Sequence, residues 1–312
     1  MHLLLRTPEK EISEMRKQRL AALILLALVA CIGCGGGSGS SGGSSASSTA
    51  RSSAKAVPAA ESQPAAAEVA EVQEGWGHLK GKFVYDGSPP TQAPLTITQD
   101  QAFCSKHEVV DESIVVNEEN GGLTHVAVYL YVRRGDNAPQ PHESYAETAD
   151  ARIELDNDKC RFEPHMCLLR TSQTLVIKNS DTVGHNTNIA PASNASFNQT
   201  IPAGSEFDHD FTAAERRPAP VACNIHPWMK GWVLPQETPY FAVSGKDGEF
   251  EINNLPSGKW TFQVWHEKAG NIDEVSVDGK AAKWSKGRVE ITVNADAVTD
   301  LGEIKLGPSL FQ

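Results

Sequence analysis

The sequence predicts an all-β protein made of two small sandwiches, preceded by an export segment and a disordered linker. Short strand-like stretches recur from residue 76 to the end, separated by turns rich in Gly, Pro, Asn and Asp. No long stretch in this part shows the 3.6-residue periodicity of an amphipathic helix. An ordered part of about 230 residues is long enough for two small sandwiches.

The predicted strands are rich in β-branched and aromatic side chains or alternate apolar with polar residues. They lie at 78–85, 113–116, 125–132, 151–155, 174–177, 207–211, 221–224, 231–234, 240–243, 249–252, 260–266, 272–277, 289–293 and 301–306. A proline-containing link at 235–239 separates the two halves of this series. We therefore divide the ordered part into a first domain at 75–236 and a second domain at 237–312.

Residues 1–34 have the pattern of an export signal. A basic stretch ends at Arg19, and the apolar run that follows at 20–30 is too short to cross a bilayer comfortably. The run ends in Leu-Val-Ala before Cys31, which resembles the lipobox of a bacterial lipoprotein. We expect lipid on Cys31 to anchor the exported protein on the periplasmic side of a membrane. Cys34 is a second candidate, and an ordinary cleaved signal peptide is the alternative.

Residues 35–74 form a low-complexity stretch of Gly and Ser followed by Ala, Ser, Glu and Pro. Up to residue 70 its only large apolar residues are Val57 and Val69. Such a segment cannot bury enough surface to offset its ordering entropy, so we predict a disordered tether. A flexible tether would let an anchored domain swing toward its partners.

The charge of the chain argues against one class of partner. The formal net charge is −11. Most of the basic residues near the N-terminus lie in the export segment and would be removed with it. Nucleic-acid binding depends on neutralising phosphates with clustered Lys and Arg, so we expect no nucleic-acid partner.

The most informative segment runs from residue 223 to residue 229, where Cys, His and Met follow the spacing C-x2-H-x2-M. Thiolate, imidazole and thioether are soft ligands that select copper over hard cations. Pro227 restricts His226 to extended conformations and so stiffens this loop. His185, in a polar loop after the predicted strand 174–177, offers the second imidazole. Two imidazoles, one thiolate and a weak axial thioether make the blue-copper arrangement.

These two segments resemble the cupredoxin family, Greek-key β-sandwiches that hold type 1 copper. The match lies in Asn-x5-His-Asn at 179–186 and in the Cys-x2-His-x2-Met loop, whose short spacing is that of amicyanin-type members. The resemblance implies four copper ligands: His185, Cys223, His226 and Met229. It also implies that Asn179 and Asn186 hydrogen-bond the Cys223 loop and tie the two loops together.

Further short segments resemble the methylamine-utilisation cupredoxin-like proteins of environmental bacteria, a name that reflects gene context in some members. They lie at 160–165, 179–181, 185–186, 197–198, 201–204 and 226–229. Residues 237–312 resemble carboxypeptidase-regulatory-like β-sandwich domains, through segments 248–252, 255–258 and 264–267. Such domains act as stability and interaction modules. The 79–90 segment is similar to them and is a candidate to complete that second sandwich across the first domain.

The remaining cysteines and histidines have weaker assignments. In an oxidising compartment Cys104 and Cys160 are expected to form a structural disulfide, which leaves Cys167 as a buried small hydrophobe. His165 suggests a second metal site, but a satisfied core or edge histidine is the commoner case. For His266, a structural hydrogen bond to the adjacent Glu is more common than a catalytic role.

Three functions fit these residues. The first is a one-electron carrier that exchanges electrons with redox partner proteins in the cell envelope. The alternatives are a protein that stores, senses or delivers copper, and a metal-free envelope scaffold. We do not expect an enzyme: multicopper oxidases need His-x-His pairs, a binuclear copper centre needs a second Cys near Cys223, and the sequence contains neither.

Overall fold

The computed structural model describes residues 74–312. The predictions for the export segment, for lipid on Cys31 and for the linker up to residue 73 lie outside the described residues. Within residues 74–312, no helix is long and apolar enough to cross a membrane.

Nearly all of the regular secondary structure in the described part of the chain is β-strand, which confirms the all-β prediction. The strands are β1 (Trp76–Tyr85), β2 (Ala127–Leu130), β3 (Arg152–Asp158), β4 (Arg161–Glu163), β5 (Met166–Arg170), β6 (Thr174–Asn179), β7 (His185–Ile189), β8 (Phe197–Ile201), β9 (Glu206–Asp210), β10 (Ala219–Ala222), β11 (Lys230–Gln236), β12 (Phe241–Val243), β13 (Glu249–Pro256), β14 (Gly258–His266), β15 (Gly270–Asn271), β16 (Glu274–Val277), β17 (Lys280–Lys283), β18 (Arg288–Val293) and β19 (Val298–Leu306). One short α-helix, α1 (Gln101–Cys104), and three single 3-10 turns (Glu143–Tyr145, Ser285–Gly287 and Pro308–Phe311) complete the described elements.

Two sheets form the first sandwich. One has the strand order β4-β3-β6-β9 and the other has the order β5-β11-β10-β7-β8. Both sheets contain a parallel pair, β3 with β6 and β5 with β11, among antiparallel neighbours. Their inward side chains fill one core, including Leu155, Leu175 and Ile177 from one sheet and Ile189 and Val233 from the other.

The second sandwich also consists of two sheets, with orders β13-β1-β19-β16-β17 and β12-β2-β14-β15, and β18 adds to β14. Its core includes Leu79 and Phe83 of β1, Phe250 of β13, and Phe262 of β14. The first strand of the described chain is therefore an interior strand of one sheet of this sandwich, between β13 and β19.

The strand pairing differs from the linear division at residue 236. β1 pairs with β13 and β19, and β2 pairs with β12 and β14, although both strands precede the first sandwich in the chain. The second sandwich thus starts at residue 76, and the first sandwich is inserted between β2 and β12. The reason is hydrophobic: the apolar faces of β1 and β2 are covered by strands from the C-terminal part.

The two sandwiches pack against each other along β2, whose side chains alternate between two apolar clusters. We call this contact region the seam. Its even-numbered residues Val128 and Leu130 lie in the core of the second sandwich, whereas Ala127 and Tyr129 belong to a separate apolar cluster. That cluster also contains Met166, Leu234 and Trp265, from β5, β11 and β14. A strand buried on both faces explains why β2 and its flanks read as a nearly continuous run of β-branched and aromatic residues.

Candidate metal centre

The four candidate ligands lie at one end of the first sandwich. His185 begins β7, and Cys223 directly follows β10. These strands are antiparallel neighbours, with Ala222 opposite Asn188, so the start of one is beside the end of the other. His226 and Met229 lie in the loop that leads from Cys223 into β11. His185 was predicted in a loop; it is instead the first residue of a strand, and the pairing of that strand fixes its position.

Three donor atoms of these residues converge. The Nδ1 atoms of His185 and His226 and the Sγ atom of Cys223 all lie within 4.8 Å of one another. The two Nδ1 atoms are 2.8 Å apart, and the Sγ atom is 3.7 Å from Nδ1 of His226. Both imidazoles are completely buried, and the thiol is 2% exposed. The sequence therefore folds two nitrogen donors and one sulfur donor into a closed site.

Met229 closes the loop that carries these ligands. Its backbone N–H donates to the carbonyl of His226 at 2.9 Å, and its own carbonyl accepts from the N–H of Cys223 at 3.2 Å. Its side chain is 1% exposed and belongs to the same core cluster as Cys223. The fourth candidate ligand is thus held in the same tight turn as the other loop ligands.

The thiol of Cys223 is surrounded by hydrogen-bond donors. The backbone N–H groups of Asn186 and His226 each donate to Sγ at 3.4 Å. Burial raises the pKa of this thiol, but hydrogen bonds from His185 and from backbone N–H groups outweigh it, and the net pKa lies below the usual value. The environment therefore favours the thiolate, which is the form that binds metals.

Each imidazole is held from behind by a carboxylate. Nε2 of His185 is 2.8 Å from Oδ2 of Asp181, and Nε2 of His226 is 2.8 Å from Oδ2 of Asp100. Burial lowers the pKa of His185, but the hydrogen bond with Asp181 and the contact with Cys223 together raise it to about 9. For His226, burial and the neighbouring His185 lower the pKa against the opposing effect of Asp100.

The geometry of these donor atoms can be compared with what a bound metal ion requires. If each Nε2 carries a proton toward its carboxylate, both Nδ1 atoms present lone pairs to each other across 2.8 Å. Two acceptors at that distance repel unless a proton or a metal ion lies between them. The nearby thiol adds a third, soft donor. Two imidazole nitrogens and a thiolate suit copper, so the residues fit a copper ion.

The two asparagines named from the cupredoxin resemblance have different partners. Oδ1 of Asn186 accepts from the backbone N–H of Asn224, which ties β7 to the Cys223 loop as expected. The side chain of Asn179 instead donates to the carbonyls of Val183 and Ile201, both at 2.9 Å. Asn179 therefore holds the turn before His185 and makes no hydrogen bond to the Cys223 loop, because its side chain faces the β7–β8 side of the sandwich.

The cysteines divide as the sequence analysis proposed. Cys104 and Cys160 form a disulfide that joins α1 to the turn between β3 and β4. Cys167 is a free, buried thiol, and burial raises its pKa to about 12. Only one free thiol in the described residues, that of Cys223, is therefore near a set of metal-binding side chains.

Sequence reasoning missed the two carboxylates. Asp181 lies four residues before His185 in a segment that was already of interest, so its role had a signal in the spacing. Asp100 is 126 residues from His226 in the chain, and it had no local signal. Asp100 lies between β1 and β2 of the second sandwich, so its contact depends on the path by which this segment reaches the first sandwich.

Three histidines outside this centre, His125, His165 and His266, lie near the seam. Nε2 of His165 is 2.7 Å from Glu267, which also accepts from Nε1 of Trp232 at 2.7 Å. The rings of His125 and His165 stack with centroids 4.8 Å apart. In the part of the chain that the structure describes, no three His, Cys, Asp or Glu donors converge here as they do around Cys223. His266 makes no direct bond to Glu267; its Nδ1 accepts from the backbone of Lys268.

No protein-family model matches the sequence, and no curated protein matches it. Solved structures match parts of the chain. A purple cupredoxin from Nitrosopumilus maritimus is 24% identical over 28% of this chain and 100% of its own, with a TM-score of 0.24. A mutant of amicyanin in its reduced Cu(I) form is 21% identical over 35% of this chain and 98% of its own, with a TM-score of 0.25. A copper-containing nitrite reductase from Thermus scotoductus is 19% identical over 34% of this chain and 25% of its own, with a TM-score of 0.25. These scores are too low to support a function, which must be inferred from the residues themselves.

Proposed function

We propose that this protein binds a single copper ion of the type 1 class and acts as a one-electron carrier. One observation carries the proposal: two imidazole Nδ1 atoms and a thiol Sγ atom converge within 4.8 Å in a buried site. His185, Cys223 and His226 would be the equatorial ligands, and Met229 would be the weak axial ligand. Bound copper would supply the one-electron chemistry by changing between Cu(I) and Cu(II).

The chain contributes a rigid donor set to this function. His185 is fixed by strand pairing and by Asp181, and His226 is fixed by the closed turn and by Asp100. Backbone N–H groups at 3.4 Å from Sγ hold the thiolate without moving a side chain. Because these groups are already in place, little reorganisation would accompany a change in the charge of the ion. The burial of both rings would keep water away from the ion.

The experiment is to add Cu(II) to three forms of the protein: wild type, Cys223→Ser and Cys167→Ser. Both residues are buried free cysteines, so the second variant is a matched control for the loss of a thiol. We expect an intense visible thiolate-to-copper band in wild type and in Cys167→Ser, and none in Cys223→Ser. A full visible band in Cys223→Ser would remove that residue from the site. A colourless wild type that binds Cu(I) would favour copper storage or delivery, and the absence of stoichiometric copper would favour the metal-free scaffold.

We also propose a location for this function. The lipobox-like segment before Cys31 supports export and a lipid anchor on the periplasmic side of a membrane, where envelope redox proteins would be the partners. Mass spectrometry of protein extracted from the membrane should find an acylated N-terminus at Cys31. A mature chain that begins at another residue without lipid would contradict the anchor.

A further inference from the structure

Asp100 makes an unusual contact for a surface residue. Its side chain is 43% exposed, yet its Oδ2 lies 2.8 Å from Nε2 of His226, a ring with no exposed surface. The carboxylate therefore covers the edge of that imidazole that faces away from Cys223 and His185. A hydrogen bond to Nε2 fixes both the orientation of the ring and the nitrogen that carries the proton.

The backbone holds Asp100 in a sparsely populated conformation. It precedes α1 with a φ of 44°, and its carbonyl accepts the N–H groups of Phe103 and Cys104, both at 2.9 Å. Its side chain makes no capping bond to the helix, so the carboxylate is free to reach His226. A left-handed conformation at a non-glycine residue persists when the surrounding structure holds it in place.

A disulfide anchors the end of the helix that follows Asp100. Cys104 ends α1 and is bonded to Cys160, whose backbone N–H donates to Oδ2 of Asp181 at 2.8 Å. The same carboxylate oxygen is 2.8 Å from Nε2 of His185. The carbonyl of Cys160 also accepts from Nε1 of Trp228, whose ring lies against His226 with centroids 5.1 Å apart. One disulfide thus connects the groups behind both imidazoles.

We propose that Asp100 is a positioning residue that fixes His226 for metal binding, and that the Cys104–Cys160 disulfide holds Asp100 in place. This inference rests on the proposed copper site. The residues behind the ligands would then form a continuous series of contacts, from His226 through Asp100, the disulfide and Asp181 to His185. Breaking the path at Asp100 or at the disulfide would release the same imidazole.

The first test measures Cu(I) affinity by competition with a chelator in Asp100→Ala, Asp100→Asn and the control Asp300→Asn. Asp300 is a similarly exposed carboxylate, in the second sandwich and paired with Lys80. Loss of an outer hydrogen bond of this kind weakens metal affinity by about 10- to 100-fold. We expect that loss in Asp100→Ala, a smaller one in Asp100→Asn because an amide oxygen still accepts from Nε2–H, and none in Asp300→Asn.

Nitrogen NMR of the metal-free protein distinguishes a positioning role from a general structural effect. In wild type we expect Nε2 of His226 to carry a hydrogen-bonded proton with slow solvent exchange. In Asp100→Ala this resonance should exchange rapidly and show mixed tautomers, while that of His185, which is held by Asp181, stays unchanged. Identical His226 resonances in wild type and Asp100→Ala would overturn the positioning role.

The disulfide is tested by Cys104→Ser combined with Cys160→Ser. We expect the affinity loss of Asp100→Ala, and we expect no further loss when Asp100→Ala is added, because both changes break one path. Additive losses would refute the link between the disulfide and Asp100. If the cysteine variant does not fold, the Asp100 variants still decide the positioning role. A wild type without copper would refute the proposed function, whereas Asp100→Ala within twofold of a copper-binding wild type would refute this inference alone.

Discussion

Histidines cluster in two regions of this molecule. His185 and His226 lie at the end of the first sandwich, and His125, His165 and His266 lie at the seam between the sandwiches. In the first region each Nε2 is bonded to its own carboxylate, so both Nδ1 atoms point toward each other and toward a thiol. In the second region one carboxylate, Glu267, is shared between an imidazole and an indole.

The comparison shows what separates a candidate metal centre from a group of core histidines. Both regions contain buried histidines, although His125 at the seam is only partly buried. The direction of the ring nitrogens differs: at the seam the rings of His125 and His165 stack, with an angle of 26° between their planes. Nitrogens in the planes of stacked rings do not converge on a common point. We therefore expect copper at Cys223 and none at the seam.

The largest expected effect is the loss of an equatorial ligand. His185→Ala should weaken Cu(I) binding by about a thousandfold, or about 4 kcal/mol, because an imidazole is removed and the remaining donors become accessible to water. His125→Asn is the matched change at the seam, since asparagine tolerates the left-handed φ of 65° found there. It should leave the affinity within twofold of wild type. Chelator competition measures both, and a large loss in His125→Asn would show that the seam also binds the metal.

A smaller effect is expected at the axial position, where the molecule offers a second matched pair. Met229 and Met166 are both buried, at 1% and 4% exposure, but Met166 lies in the seam cluster. Loss of a thioether donor destabilises Cu(II) more than Cu(I). Met229→Leu should therefore raise the reduction potential by on the order of 100 mV, where each 59 mV is a tenfold change in a one-electron equilibrium.

The controls sharpen this axial prediction. Met229→Gln places a harder oxygen donor at the axial position and should lower the potential. Met166→Leu should leave the potential unchanged and cost less than about 1.5 kcal/mol of stability as a swap of similar volume. Voltammetry measures all four proteins. Any order other than Leu above wild type above Gln at position 229 would count against axial tuning and against the electron-carrier role.

Much of the fold was predictable because the second sandwich and the interior of the first follow simple strand patterns. The stretches at 78–85, 249–252 and 301–306 became β1, β13 and β19, which are two to four residues longer than predicted. Pairing between distant segments leaves no periodic signal in either segment, so only the resemblance of 79–90 to the C-terminal domain pointed to their common sheet, which the pairing of β1 with β13 and β19 confirms. The strands β7 (HNTNI) and β8 (FNQTI) were missed because polar side chains dominate them. The predicted strand 113–116 is only an isolated bridge, between Val116 and Leu123.

The candidate centre could also be predicted only in part. Cys223, His226 and Met229 lie within seven residues of one another, so a tight turn was enough to predict their proximity. His185 could be added because it follows a recognisable strand. The contact with Asp100 could not be predicted, because it depends on a disulfide and on the left-handed conformation of one residue. The ligands within a single loop could be predicted from the sequence, but the residues that position this loop from outside could not.

The seam should respond to acid, because two of its histidines, His125 and His266, resist protonation in the folded protein. Burial, with His165 and His266 nearby, lowers the pKa of His125 to about 3, and burial lowers that of His266 to about 4. An unfolded histidine titrates near pH 6.5. Below that pH the unfolded chain binds protons that the folded chain cannot. The contribution of these two histidines to the unfolding free energy is therefore fully present above about pH 6.5 and is lost as the pH falls. His165 has the opposite tendency: burial lowers its pKa, but Glu267 and Glu112 together raise it above the usual value, so its contribution is present below pH 6.5 and is lost as the pH rises.

The smallest expected effect is therefore a difference in acid sensitivity within the seam. Between pH 6.5 and pH 5, the lowered pKa of His125 should cost wild type about 2 kcal/mol of unfolding free energy, since each pH unit corresponds to about 1.4 kcal/mol. His125→Asn removes this titration and should lose about 2 kcal/mol less than wild type over the same range. Val128→Ala, a neighbouring core change without a titrating group, should be destabilised equally at both pH values. Urea unfolding of the copper-free proteins measures these free energies. Equal losses in wild type and His125→Asn would show that His125 binds a proton as readily in the folded seam as in the unfolded chain, and would contradict the lowered pKa.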